Sequence, residues 1–165
     1  MPVIVDEIGE VVARMRGTGD IPYYLYGHRL EIANRLIEKD KDRVAMLQKY
    51  PLVALRQDIE EQYSNGIVTY TLNMAILEYT DKNYTAEQRY ANVFKPILYP
   101  LYELLIKSLR ESFFWPAWQN VPPHTKIDRP FWGVAQQEKN TKPIFNDPLD
   151  AIELVSLKIS KRICN

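Results

Sequence analysis

The sequence predicts a small α+β domain, a mostly antiparallel sheet with helices packed on one face. Three observations carry this prediction. Apolar residues recur at helical spacing near the N-terminus and again over residues 85–109. Segments rich in β-branched and aromatic residues lie between them and at the C-terminal end. Asn65-Gly66, between two of these segments, is a strong hairpin signal. At 165 residues the chain is long enough to bury one core of its own, so 1–165 reads as a single domain. Its parts are an N-terminal helical and aromatic segment (1–43), a β-hairpin plus kinked helix (44–111), a long Trp/Pro-rich insert (112–147) and a C-terminal strand (148–165).

In chain order, Ile4, Ile8, Val11, Val12 and Met15 fall at intervals of three and four, which predicts a helix over residues 3–15. "RGTGD" ends it with glycines suited to a helix C-terminus. "IPYYLYG" reads as extended, and Leu30, Ile32, Ala33, Leu36 and Ile37 predict a short second helix that gives way to the solvated charge run "EKDKDR". A proline-led strand follows in "KYPLVALRQDIEE", with Val53 and Leu55 on one face and Leu52 and Ala54 on the other. Residues 53–59 and 67–80 are expected to pair antiparallel around the Asn-Gly turn. Thr85 and Gln88 match a capping box that opens a helix. The last segment, "DPLDAIELVSLKISKRI", predicts a strand with Ile152, Leu154, Ser156 and Lys158 on one face and Ala151, Val155, Leu157 and Ile159 on the other.

"NVFKPILYPLYELLIK" places Pro96 and Pro100 inside a strong amphipathic pattern. Proline in a helix interior loses a hydrogen bond and clashes with the preceding turn, at a cost of about 3 kcal/mol, whereas the first turn tolerates it. The expected solution is one helix ending near Phe94 and another starting at Pro96, which turns Ile97, Leu101, Leu104 and Leu105 toward the core.

Composition narrows the function. Lys+Arg and Asp+Glu are 21 each, giving a formal net charge of zero, without the basic excess usual in a free-standing nucleic-acid binder. The single cysteine, Cys164, excludes an intrachain disulfide and points to a reducing compartment. Asp6, Glu7 and Glu10 interrupt the apolar N-terminus, and no membrane-spanning run is present, so synthesis and folding in a cytoplasm are expected. Eleven tyrosines suit surfaces that become buried on assembly, because the ring is apolar and the hydroxyl stays satisfied.

Motifs for chemistry are absent. His28, His124 and one cysteine do not compose a zinc site, and no phosphate-cradling loop or nucleophile elbow occurs. A carboxylate-only Mg²⁺ site from Asp58, Glu60 and Glu61, or a metal-dependent hydrolase using Asp58, Glu60 and Glu78, is weighed against the simpler reading of solvated strand ends. "HTKIDRPFWG" interleaves aromatic and basic residues and would suit single-stranded nucleic acid or a protein interface equally well. No catalytic, cofactor or metal residues are therefore assigned. Tyr23, Tyr24, Tyr26, Trp115, Trp118, Phe131 and Trp132 cluster in segments without core periodicity, which makes them interface candidates, each with a core role as the alternative.

The series "KYPLVALRQDIEE", "NMAILEYTDKNYTAEQRYANVFKPILYPLYELLIKSL", "HTKIDRPFWG" and "DPLDAIELVSLKI" resembles small virion proteins of tailed bacteriophages and prophages. It is similar to those of the head–tail junction, the tail terminator and tail completion group. The resemblance spans roughly residues 45–160 and rests on order and spacing: a proline-led strand, a strand ending in Thr-Asp, a helix through "RY…F.PILYPLY" and a final Asp-x-Ile strand. It implies an α+β, tail-terminator-like protomer and a ring, commonly hexameric, that caps the tail tube and docks to neck and head-completion proteins. It also implies a virion location, no enzymatic activity, no cofactor, and DNA only as cargo passing through the ring. The insert at 112–147 departs from the better-known terminators.

Overall fold

The computed structural model describes residues 3–113, 121–133, 145 and 147–163. In chain order the elements are α1 (Ile4–Met15), β1 (Tyr23–Gly27), α2 (Arg29–Lys39), a 3₁₀ turn (Ala45–Leu47), β2 (Leu52–Arg56), β3 (Glu60–Ser64) and β4 (Ile67–Tyr79). They continue with α3 (Ala86–Arg89), a π-helical segment (Tyr90–Leu98), α4 (Tyr99–Ser112), β5 (Thr125–Arg129) and β6 (Leu149–Arg162). The strands make one six-stranded sheet in the order β1-β2-β4-β6-β5, and β3 pairs with β4 beyond the end of β2. The α+β class is as the sequence predicts, and β5 is a short strand inside the insert.

All pairs are antiparallel except β1–β2. Parallel neighbours need a crossover connection, and here α2 supplies it. This corrects the expectation that the helices share one face. Ile4, Ile8, Val11 and Val12 of α1 pack with Val53, Leu55, Leu98, Leu105 and Leu109 on one side of the sheet. Ile32, Ala33 and Leu36 of α2 pack with Leu52, Ala54, Leu77 and Trp132 on the other. The alternation predicted for β2 is observed, and β2 is buried on both sides.

The Asn-Gly hairpin also forms, with Asn65 at φ 50° and Gly66 at φ 73°, the paired positive angles that tight hairpin turns use. It joins β3 to β4, not one unbroken strand 53–59 to β4. Residues 57–59 interrupt the partner strand, so β2 pairs with Met74–Leu77 and β3 with Ile67–Thr71 along the same edge.

Two further corrections concern phase. Leu72 faces Leu157 and Met74 faces Leu154, so Asn73 stands opposite both Val155 and Ser156, a β-bulge. Asn73 Oδ1 accepts from the Ser156 N–H at 3.0 Å, and Ser156 takes φ 54°. The bulge resets the alternation, so Ile152, Leu154, Leu157 and Ile159 all face the α1 side. The second correction is that no helix ends at Phe94. Thr85 and Gln88 cap each other as predicted, and the chain then stays helical from Ala86 to Ser112. Pro96 is accommodated by wide turns, in which Tyr99 N–H reaches Phe94 O instead of the α-helical partner. This alters the face turned inward: Leu98, Leu105, Ile106 and Leu109 are buried, and Leu104 is exposed. No helix among the described residues is long and apolar enough to cross a membrane.

Candidate functional site

The π-helical segment borders a surface groove of about 360 Å³, walled by Tyr84, Tyr90, Phe94, Tyr99 and Phe131 with Ala86, Arg89, Asp128 and Pro130. Three of its rings come from one stretch of helix. Tyr90 meets Tyr99 edge-on at 6.3 Å between centroids, and Phe94 meets Tyr99 at 5.8 Å. Such arrangements satisfy the aromatic quadrupoles. The wide turns bring positions five apart into backbone contact, which places these rings side by side along one wall.

The floor is charged but internally balanced. Arg89 is buried, with Nε 3.1 Å from Asp150 Oδ2, an ion pair whose angle falls short of a hydrogen bond. Arg89 Nη2 donates to Tyr84 O at 3.2 Å. The guanidinium carbon lies 3.8 Å from the centroid of Phe131, and the Phe131 N–H donates to Asp150 Oδ1 at 3.1 Å. Phe131 holds φ 52°, so its backbone is bent to place the ring over Arg89. Burial pushes the Asp150 carboxyl above its ordinary range, against hydrogen bonding and the charge of Arg89.

The far wall ties α4 to β5. Tyr99 Oη donates to Asp128 Oδ2 at 2.7 Å, and this bond, with burial second, pushes the phenol up to about 12. Lys126 Nζ donates to Asp128 Oδ1 at 2.8 Å and lies 4.6 Å from the Tyr99 ring centroid. Tyr102 Oη pairs with His124 Nε2 at 2.8 Å, while His124 Nδ1 reaches Pro122 O at 2.6 Å. If the Nδ1–H donates to that carbonyl, Nε2 accepts from Tyr102. The tyrosines beside the prolines thus brace helix against edge strand.

The residues singled out from sequence go to different places. Trp132 is a core residue, only 5% exposed, stacked on Phe145 at 4.9 Å and donating from Nε1 to Glu153 Oε1 at 2.6 Å. Gly133 admits that stack, since a Cβ there would lie 2.3 Å from the Phe145 ring. Trp132 therefore offers no stacking platform to a nucleic acid. Tyr24 and Tyr26 pack on the α1 core and Tyr23 on the α2 core, and the Tyr24 hydroxyl donates to Val5 O at 2.9 Å. Of the five candidates among the described residues, Phe131 alone lines the groove. Trp115 and Trp118 lie outside the described residues, as does Cys164.

The carboxylates weighed for Mg²⁺ do not converge. Asp58 pairs with Arg56 and accepts from Asn73, and Glu61 accepts from the Tyr63 hydroxyl. Glu60 faces Thr71, seven residues from Glu78 on β4, or roughly 23 Å at strand rise. Among the described residues no group of three His, Cys, Asp or Glu could hold a metal ion.

Sequence reasoning missed Tyr84, Arg89, Tyr90, Asp128 and Asp150. An Arg and an Asp sixty-one positions apart leave no local signal. The spacing of Tyr90, Phe94 and Tyr99 lies along the chain, but an α-helical reading keeps only Tyr90 and Phe94 on one face and turns Tyr99 away from them. It also missed an exposed apolar turn, where Val44 is 66% and Leu47 77% exposed. No family model and no curated protein matches this sequence.

Proposed function

We propose that this chain is a structural virion protein of a tailed bacteriophage or prophage. In this reading it forms a ring, commonly hexameric, at the head–tail interface, where it caps the tail tube and docks it to neck and head-completion proteins. It acts by binding, without catalysis or cofactor, and DNA passes through the ring. The observation that carries the reading is the aromatic groove beside the π-helical segment. Rigid rings over an internally neutralised floor make a surface suited to desolvation by a protein partner. The phage-neck resemblance lends further support, because β2, β4, the α3–α4 helix and β6 join in one sheet-and-helix unit whose helix forms a wall of that groove.

The test is assembly. Light scattering on the purified protein is expected to give a ring-sized particle, or to show one once tail tubes of the encoding phage are added, with caps visible by electron microscopy. A strict monomer at high concentration that leaves tube ends bare would overturn the reading.

A further inference from the structure

Lys49 is the only buried lysine among the described residues, at 4% exposure. It stands just before β2, and its Nζ donates to two carboxylates. One is Asp40 Oδ1, at the end of α2, 2.8 Å away; the other is Asp147 Oδ2, just before β6. The Tyr50 hydroxyl donates to the same Asp147 Oδ2 at 2.8 Å. Ala33, Leu36 and Ile37 of α2 enclose the group together with Phe145. Between these described side chains no space the size of a water remains. A substrate therefore has no place here, and any chemistry is confined to the four polar side chains themselves.

As an ion pair alone the arrangement returns little. Taking charges out of water offsets much of their attraction, so apolar residues of the same volume often stabilise a core as well or better. An enclosed amine on two carboxyl groups, with a hydroxyl on one carboxyl oxygen, is also the set of groups that an amide condensation uses. Desolvation pulls the Lys49 amine down, but the hydrogen bonds and charges of Asp147 and Asp40 outweigh it and hold its pKa above the ordinary value. The site thus starts as ammonium and carboxylate. Burial, then the bond to Asp147, pushes the Tyr50 phenol up, so it keeps its proton and stays a donor.

We infer that Lys49 and Asp147 condense in the folded chain into an isopeptide bond, with Asp40 as the proton carrier. The Lys49 ammonium passes one proton to Asp147 Oδ2. In an apolar enclosure this transfer cancels two charges and relieves the cost of burying them. The free amine attacks Asp147 Cγ and forms the C–N bond. Asp40 takes the second proton from the nitrogen and delivers it to the departing Oδ2 hydroxyl, to which the Tyr50 hydroxyl also donates. The C–Oδ2 bond breaks with its electron pair on that oxygen, one water leaves, and Oδ1 becomes the amide carbonyl. Asp40 and Asp147 are partly open to solvent, which gives the water its exit. The bond forms once per chain, without turnover, and does not depend on ring assembly. It ties the start of β2 to the start of β6 across 98 positions.

Mass spectrometry of the purified, denatured chain tests this. The unmodified protein is expected to be lighter than its sequence by one water, and proteolysis to yield a peptide pair joined through Lys49 and Asp147. Lys49→Arg is expected at full mass. Asp147→Asn is expected to link by losing ammonia in place of water and to reach the same final mass, because the product is the same amide. Asp40→Asn, shown folded by circular dichroism, is expected to cut the linked fraction at least about tenfold. Linkage by Asp40→Asn as complete as in the unmodified chain would overturn the role given to Asp40. A folded unmodified chain at full mass overturns the inference, and so does a lost water with Lys49 and Asp147 on separate peptides. The unmodified chain carries the decision, so a variant that fails to fold leaves the test intact.

Discussion

Glu78 and Asp150 face each other across β4 and β6, two carboxylates in register. Like charges in that relation are unfavourable, and burial is the leading cause that raises both groups above their ordinary range. Asp150 has a compensating neighbour in Arg89; among the described residues Glu78 has only the Tyr79 N–H, at 2.8 Å. With its folded pKa above the unfolded value, Glu78 penalises the folded state when ionised. The penalty is absent below the unfolded carboxylate value of about 4.3, grows as pH rises toward the folded value, and is constant above it. Glu78→Gln is therefore expected to raise the melting midpoint at neutral pH, with the gain vanishing toward pH ~4. Thermal melts across that range check it, and a gain independent of pH would point to packing. None of this was legible in the sequence, which shows Glu78 only as a strand-end acid. Its burial depends on which strand lies opposite.

At the scale of elements, legibility followed the range of the interactions. The Asn65-Gly66 turn and the Thr85/Gln88 capping box are decided within four residues, and both formed as predicted. The two faces of β2 follow from strand geometry alone. The bulge opposite Asn73 is different, because a residue on β4 fixes the conformation of one on β6 more than eighty positions away. The π-helical turns are similar. Pro96 marks a conflict, and packing, not local spacing, chose widening over a break. Ser156 gives an element-scale prediction. A non-glycine residue in the left-handed region costs about 1–2 kcal/mol, partly offset in glycine by its greater unfolded freedom. Ser156→Gly is expected to stabilise by about 0.5–1 kcal/mol, and Ser156→Val to destabilise, because branching at Cβ worsens the strain. Denaturant melts give both signs, and a loss with glycine would mean that the serine side chain holds the bulge.

For the whole molecule, the sheet divides the core unequally. The α1 side takes the larger share, while the α2 side is a smaller cluster centred on Trp132. Trp132 joins three parts of the chain there. Its N–H donates to Leu149 O at 2.7 Å, its indole bonds Glu153, and the Arg29 guanidinium of α2 lies 4.7 Å from its ring centroid. Trp132→Ala is expected to cost about 3–5 kcal/mol, as for other buried aromatic residues. Equilibrium unfolding measures it, and a loss below about 1 kcal/mol would place the ring at the surface. Sequence reasoning grouped Trp132 with the interface candidates because it did not foresee the parallel β1–β2 pair, whose crossover helix creates a second buried layer. The bulge has a consequence for how the chain finds this arrangement. In a uniform two-faced strand, a slip by one residue turns every side chain over but leaves the ladder intact. In β6 the outward-facing parity changes at Ser156, so a slipped pairing with β4 mismatches on both sides of that point and loses the Asn73 anchor as well. The irregularity thus acts as an index mark along the longest strand, by which a folding chain distinguishes the right alignment from its nearest errors.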